Sequence, residues 1–238
     1  MVAGTLKGAG YFMGEQIMRP TKINPKGYFE SKEIEAINED LLTLILPPRP
    51  RAFLGNFFKQ RTTRNQRWLA KIPVGQEIPC PQAIATRIEL LTAKQPFCFK
   101  DPRFCYTLPA WQPFLKETVF ICVFRHPAAT AASIMNVHAQ QKYLHNLALN
   151  YQTALKIWQL MYQHILQIHR HQGQWLFIHY NQVLTTKGLD RIEAFIKGKI
   201  DRTFPDLSLG HAVAQTPLDA KIAAIYAQLC ALAKYQEE

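Results

Sequence analysis

Thr118–Ser133, TVFICVFRHPAATAAS, is the most informative stretch of the chain. It opens on Val119-Phe120-Ile121-Cys122-Val123-Phe124, an unbroken run of apolar, aromatic and β-branched residues. Such a run bounded by a turn reads as a strand covered on both faces, as in a parallel sheet. Arg125 stands just past its C-terminal end, and His126-Pro127 supply the turn. Pro127 suits the first position of a helix, where its missing N–H is of no consequence. The small-residue helix that follows carries Ser133. Strand, arginine, turn and a helix with a hydroxyl near its start together make an anion site. The guanidinium is a planar fork for phosphate, and N–H groups at the helix start add to it. In open α/β sheets ligands gather at this strand edge.

Two further apolar runs end in polar residues. Phe97-Cys98-Phe99 leads into Lys100-Asp101-Pro102-Arg103, and Trp175–Tyr180, WLFIHY, leads into Asn181. Helical spacing fills the intervals. Residues 2–10 place Val2, Leu6 and Ala9 on one face. Ile34, Ile37, Leu41 and Leu44 form a stripe, with Glu33, Glu35, Glu39 and Asp40 mostly outside it. Pro81 opens a helix carrying Ile84, Ile88 and Leu91, while Pro109 and Pro113 interrupt the register of Leu108, Trp111 and Leu115. Residues 142–171 read as one long helix, residues 188–197 as another stopped by Gly198, and Thr216-Pro217 cap a last one reaching about Tyr235. Alternating strands and helices predict an α/β fold, a three-layer parallel sheet flanked by helices, in a single domain over residues 1–238. Only three strands are visible, and the first helix starts at the first residue, with no strand before it.

With 238 residues, 48% of them hydrophobic, the chain has ample material for one core. It holds no apolar run of about 18 residues, so no membrane span is expected, and its N-terminus does not read as a signal peptide. Five cysteines without a CxxC pair read as reduced core thiols of a cytoplasmic protein, with no metal site. His164 and His171, seven residues apart, could share a helix face, but no acid stands near to complete a metal site. The net charge of +11 asks for an anionic partner. Much of it lies between Arg49 and Lys71, where Arg49, Arg51, Lys59, Arg61, Arg64, Arg67 and Lys71 alternate with Phe53, Phe57, Phe58 and Trp68 and no acid intervenes. This stretch reads as a nucleic-acid surface or as a solvated basic segment near an anionic small-molecule site; its irregular spacing favours the second.

The candidate site residues lie at the strand ends. Arg125, past a buried strand, needs an anion or a carboxylate, and Asp101 is the structural alternative. Ser133 gains interest from its place beside Arg125. Glu30 closes the Pro/Gly loop Asn24–Glu30 and precedes a helix, whose dipole favours an acid there. Lys100, Asp101 and Arg103 gather at a second strand end, where Lys100 can pair with Asp101.

The pattern R-H-P-x-x-x-x-x-S after an apolar strand resembles the 3′-phosphate-binding motif of sulfotransferases that use 3′-phosphoadenosine 5′-phosphosulfate (PAPS). NPKGYFE, FKDPR and WLFIHYNQVL, in that order, also resemble bacterial-type members, and the likeness runs from the first residue to about residue 200. The resemblance implies a fold related to P-loop nucleotide kinases, with PAPS as co-substrate and no metal. It implies that Arg125 and Ser133 bind the cofactor, that Glu30 and Lys100 act in catalysis, and that Asp101 and Arg103 support them. It implies a small-molecule or glycan acceptor with a hydroxyl or amine, and residues 49–80 as a basic flap or acceptor-side insertion. It further implies a first strand and a 5′-phosphosulfate loop just upstream of Met1, which this chain is missing. Without them weak or no catalysis is expected. The alternatives are a non-catalytic remnant that binds adenosine 3′,5′-bisphosphate or a protein partner, and a basic nucleic-acid binder.

Overall fold

The computed structural model describes residues 1–21, 24–50, 52–206 and 217–237. Arg51, the Phe53 side chain and Thr216, all used in the sequence reading, lie outside the described residues. The helices are α1 (Val2–Gly8), α2 (Lys32–Thr43), α3 (Gln82–Thr92), α4 (Phe104–Trp111), α5 (Pro127–Gln140), α6 (Tyr151–Gln167), α7 (Tyr180–Val183), α8 (Thr186–Ile196) and α9 (Ala220–Ala233). The strands are β1 (Val119–Phe124) and β2 (Gln174–His179).

β1 and β2 pair in parallel, from Val119 opposite Gln174 to Phe124 opposite His179. Val119–Phe124 and Trp175–Ile178 are continuous apolar runs because helices cover both faces of this ladder. Successive side chains point to opposite faces. Cys122, Phe124 and Phe177 join Ile134 of α5, Trp158 of α6 and Leu229 of α9 in one cluster. Ile121, Val123, Leu176 and Ile178 turn the other way, to Val2 and Leu6 of α1 and Leu189 and Ile192 of α8. A separate cluster joins Ile34, Ile37 and Leu41 of α2 to Ile88 of α3 and Trp111 of α4. Leu44, expected in the α2 stripe, is exposed at the helix end.

The protein is thus a mixed helix and strand fold with a small parallel sheet. Three strands were expected, but among the described residues the ladder has two. Phe97-Cys98-Phe99 makes only a single parallel bridge, Phe97 with Phe12. The Phe12 N–H donates to the Pro96 carbonyl at 2.8 Å, and the Cys98 N–H donates to the Phe12 carbonyl at 2.9 Å. Pro96, which has no N–H, and the turn after Asp101 leave too little chain for a longer ladder.

The long helix over 142–171 is also corrected. A 3₁₀ turn occupies Lys142–Leu144, and α6 begins only after Asn150, whose side chain accepts the Thr153 N–H at 2.8 Å. Leu144 and Leu147 mimic the helix spacing from a buried loop. Conversely, Pro109 does not break α4. A proline cannot donate to the carbonyl four residues back. That carbonyl belongs to Cys105, and the buried imidazole of His169 takes the place of the missing donor, Nε2 to oxygen 2.8 Å.

Candidate active site

Arg125 leaves the end of β1, and His126 caps α5 by accepting the Ala128 N–H on its Nδ1 at 3.2 Å. His126 is therefore the turn residue that the sequence suggests. The half-buried Arg125 guanidinium folds along the helix, donating from Nη2 to the Ala129 carbonyl at 3.1 Å. Within an α-helix that carbonyl also faces the N–H of the residue four positions on, which is Ser133. The hydrogen bond thus brings the guanidinium to the helix turn that bears Ser133. The other side of Arg125 lies over the Tyr180 ring, 5.7 Å from its centroid. Burial lowers the Arg125 pKa, with Tyr180 and Tyr162 acting in the opposite direction. No described carboxylate forms an ion pair with Arg125. The Ser133 side chain is exposed.

At the neighbouring β2 end, His179 caps α7, accepting the Asn181 N–H at 3.2 Å, and stacks on Tyr235 with centroids 3.8 Å apart. Burial holds its pKa down at about 4, so the ring is neutral near pH 7. Gln182 and Arg191 both donate to the Ala233 carbonyl, fixing the end of α9 against this edge.

Asp101 is the partner of Arg103 rather than of Arg125 or Lys100. Its Oδ1 accepts the Arg103 N–H at 2.7 Å, and its Oδ2 lies 3.1 Å from Nη1 of the same guanidinium. Arg103 is only 1% exposed and reaches two more carboxylates, Glu39 from Nε at 2.8 Å and Glu35 from Nη2 at 3.1 Å. Arg67 binds the other Glu39 oxygen at 2.7 Å. Burial opposes the Arg103 charge, yet the surrounding carboxylates raise its pKa overall. Burial also raises Asp101 to about 6, against the pull of Arg103. Glu35 and Glu39 were placed outside the apolar stripe of α2, although Glu39 is wholly buried. The signal that would have marked them is their i, i+4 spacing on one helix face, which a single forked cation can span.

Lys100 contacts Glu30 directly, so the structure brings the two expected catalytic residues together as a pair. Glu30 is nearly buried and Lys100 half exposed. Phe29, just before Glu30, has a φ of +56°, which turns the chain sharply ahead of α2. The Lys100 and Arg125 edges are linked through one apolar cluster, since Cys98 and Val123, each two residues upstream of its cation, both belong to it.

The basic stretch forms 3₁₀ turns at Ala52–Phe58 and Arg67–Leu69. Its second half is built into the core, with Gln66, Leu69, Ala70 and Ile72 buried. His164 is buried with Nε2 on the Ile72 carbonyl, its ring lies edge-on to Tyr106, and the histidine beside it is His169 instead of His171. Among the described residues no group of histidine, cysteine, aspartate and glutamate side chains is placed to hold a metal, and no helix is long and apolar enough to cross a membrane.

Comparison with models of known families matches residues 16–195 to the sulfotransferase family. Neither the curated proteins nor the solved structures give a match. The family match spans most of the chain and contains every candidate residue discussed above. The chain belongs to the sulfotransferase family.

Proposed function

We propose that the protein transfers a sulfuryl group from PAPS to the hydroxyl or amine of a small-molecule or glycan acceptor. The observation that carries this reading is Arg125, a half-buried cation without a carboxylate, held by the Ala129 carbonyl on the helix turn that bears Ser133. Such a cation fits the 3′-phosphate of the donor, and the Ser133 hydroxyl can donate a further hydrogen bond to it. When bound, PAPS supplies an S–O bond that breaks with its electron pair passing to phosphate, while the acceptor atom bonds to sulfur. Arg125 anchors and orients, and takes no part in that exchange. Glu30 accepts the proton of the acceptor. In the resting protein its carboxylate is engaged by Lys100. Lys100 is half exposed, so it can turn toward the transferred anionic group and neutralise developing charge.

The test is calorimetric titration with adenosine 3′,5′-bisphosphate, which addresses the 3′-phosphate side alone. Arg125→Ala is expected to weaken binding by about 1.5–3 kcal/mol, roughly 10- to 150-fold, the range for a hydrogen bond to a charged group. Equal affinity in wild type and variant would remove Arg125 from the site and the reading with it.

A further inference from the structure

We propose that the 3₁₀ turn Ala52–Phe58 and the cations after it form a docking surface for an anionic lipid bilayer. This inference stands apart from the donor site. Leu54 and Phe57 are 61% and 67% exposed. A 3₁₀ helix has three residues per turn, so these two side chains stand one above the other along a single edge. The body of the turn is pinned. Arg49 donates from Nε to the Gly55 carbonyl at 3.0 Å, and Gly55 packs so closely on Pro50 that a Cβ there would sit 2.5 Å from the Pro50 carbonyl oxygen. A fixed turn therefore carries its large apolar pair outward.

The charges beside it are of one sign. Arg64 and Arg67 are used by Asp40 and Glu39. Lys59 and Lys71 are exposed, and Arg61 lies over the Phe58 ring at 4.4 Å. These three cations form no ion pair among the described residues. A second loop extends the surface. Ala148 donates its N–H to the Lys59 carbonyl at 2.8 Å, and Gln66 holds Asn146 at 2.7 Å. That loop carries the exposed Lys142 and Tyr143, the latter 45% exposed.

Protruding apolar side chains, a tyrosine and cations without counter-charge match the layered chemistry of a membrane surface. Acyl chains lie beneath, an amphipathic ring suits the headgroup level, and anionic phosphates attract the cations. A nucleic acid would also satisfy the cations, but Leu54 has no ring on which a base can stack.

The experiment sediments the full chain with vesicles of phosphatidylcholine, alone or mixed with phosphatidylserine. Binding is expected to the mixed vesicles only, weakening as salt rises. Leu54→Ser with Phe57→Ser should lower the partition coefficient by about ten-fold or more. Lys59→Gln, at the end of the turn, should lower it by roughly five-fold. Thermal melts of each variant, run alongside, separate lost docking from lost folding. Absence of binding to the mixed vesicles would overturn the proposal. So would binding that ignores the Leu54 and Phe57 changes, or oligonucleotide binding that survives them while vesicle binding is absent.

Discussion

Arg103 and Arg125 each follow an apolar run, yet they are opposites. Arg103 is sealed in the interior and shared by Asp101, Glu39 and Glu35. Arg125 is half buried, with a backbone carbonyl and an aromatic ring as neighbours. The first is saturated with negative charge and has nothing left to offer a ligand. The second is desolvated without compensation, which favours whatever anion arrives. The same residue type serves structure in one place and recognition in the other, and the count of carboxylates around each cation separates the two.

That contrast can be broken most directly at Arg103. Arg103→Met strands Asp101 and Glu35 and leaves Glu39 to Arg67 alone, and breaking a buried ion network of this kind costs about 3–5 kcal/mol. Urea unfolding should show the loss, and a variant as stable as the wild type would end the structural assignment. Arg125→Ala should behave in the reverse sense, losing the bisphosphate affinity discussed above while its unfolding midpoint stays close to that of the wild type. A large loss of stability there would make Arg125 a second structural arginine.

His169 sharpens the comparison on the closed side. Burial holds its pKa at about 4, below the ordinary 6.5, so folding favours the neutral ring. Its contribution is complete above about pH 6.5 and disappears as pH falls toward 4, because the unfolded chain binds the proton first. Asp101, raised by burial to about 6, changes stability in the opposite direction between about pH 4 and pH 6, within the same range. His169→Gln keeps a side-chain N–H for the Cys105 carbonyl but cannot titrate. Thermal melts at pH 7 and pH 5 should therefore differ less in this variant than in the wild type; an unchanged difference would clear His169 as a source of acid sensitivity. The smallest effect is expected at Ser133. Ser133→Ala removes one solvent-exposed hydroxyl hydrogen bond to the phosphate, about 1 kcal/mol or roughly five-fold in bisphosphate affinity, and an unaltered affinity would leave Arg125 to hold the phosphate without it.

Much of this was legible in the chain. β1, β2 and the turn at Arg125 follow from continuous apolar runs and a well-placed proline, which are local signals. The stripes of α2 and α3 were equally plain. What could not be read depends on distant partners. Phe12 marks no strand until Phe97 is placed beside it. Glu39 looks like a surface acid until Arg67 and Arg103, far along the chain, converge on it. The pairing of Glu30 with Lys100 was likewise out of reach, although both residues were singled out separately. Leu144 and Leu147 misled for the converse reason, since a buried loop can place leucines at the intervals that a helix would.

Pro109 and His169 carry a consequence for how this sequence can change. The proline is tolerated because an imidazole from another element answers the carbonyl it abandons. The proline is therefore conditional on the histidine. A chain that acquired the proline first would have held an orphaned carbonyl, whereas one that acquired the histidine first would have lost nothing, so one order of substitution is open and the other obstructed. The same dependence should appear as non-additivity. With Pro109→Ala restoring a main-chain donor, His169→Ala should cost less than it does alone, by about 0.5–3 kcal/mol, the range for residues that share a partner. Strictly additive losses would mean that the carbonyl never needed the ring.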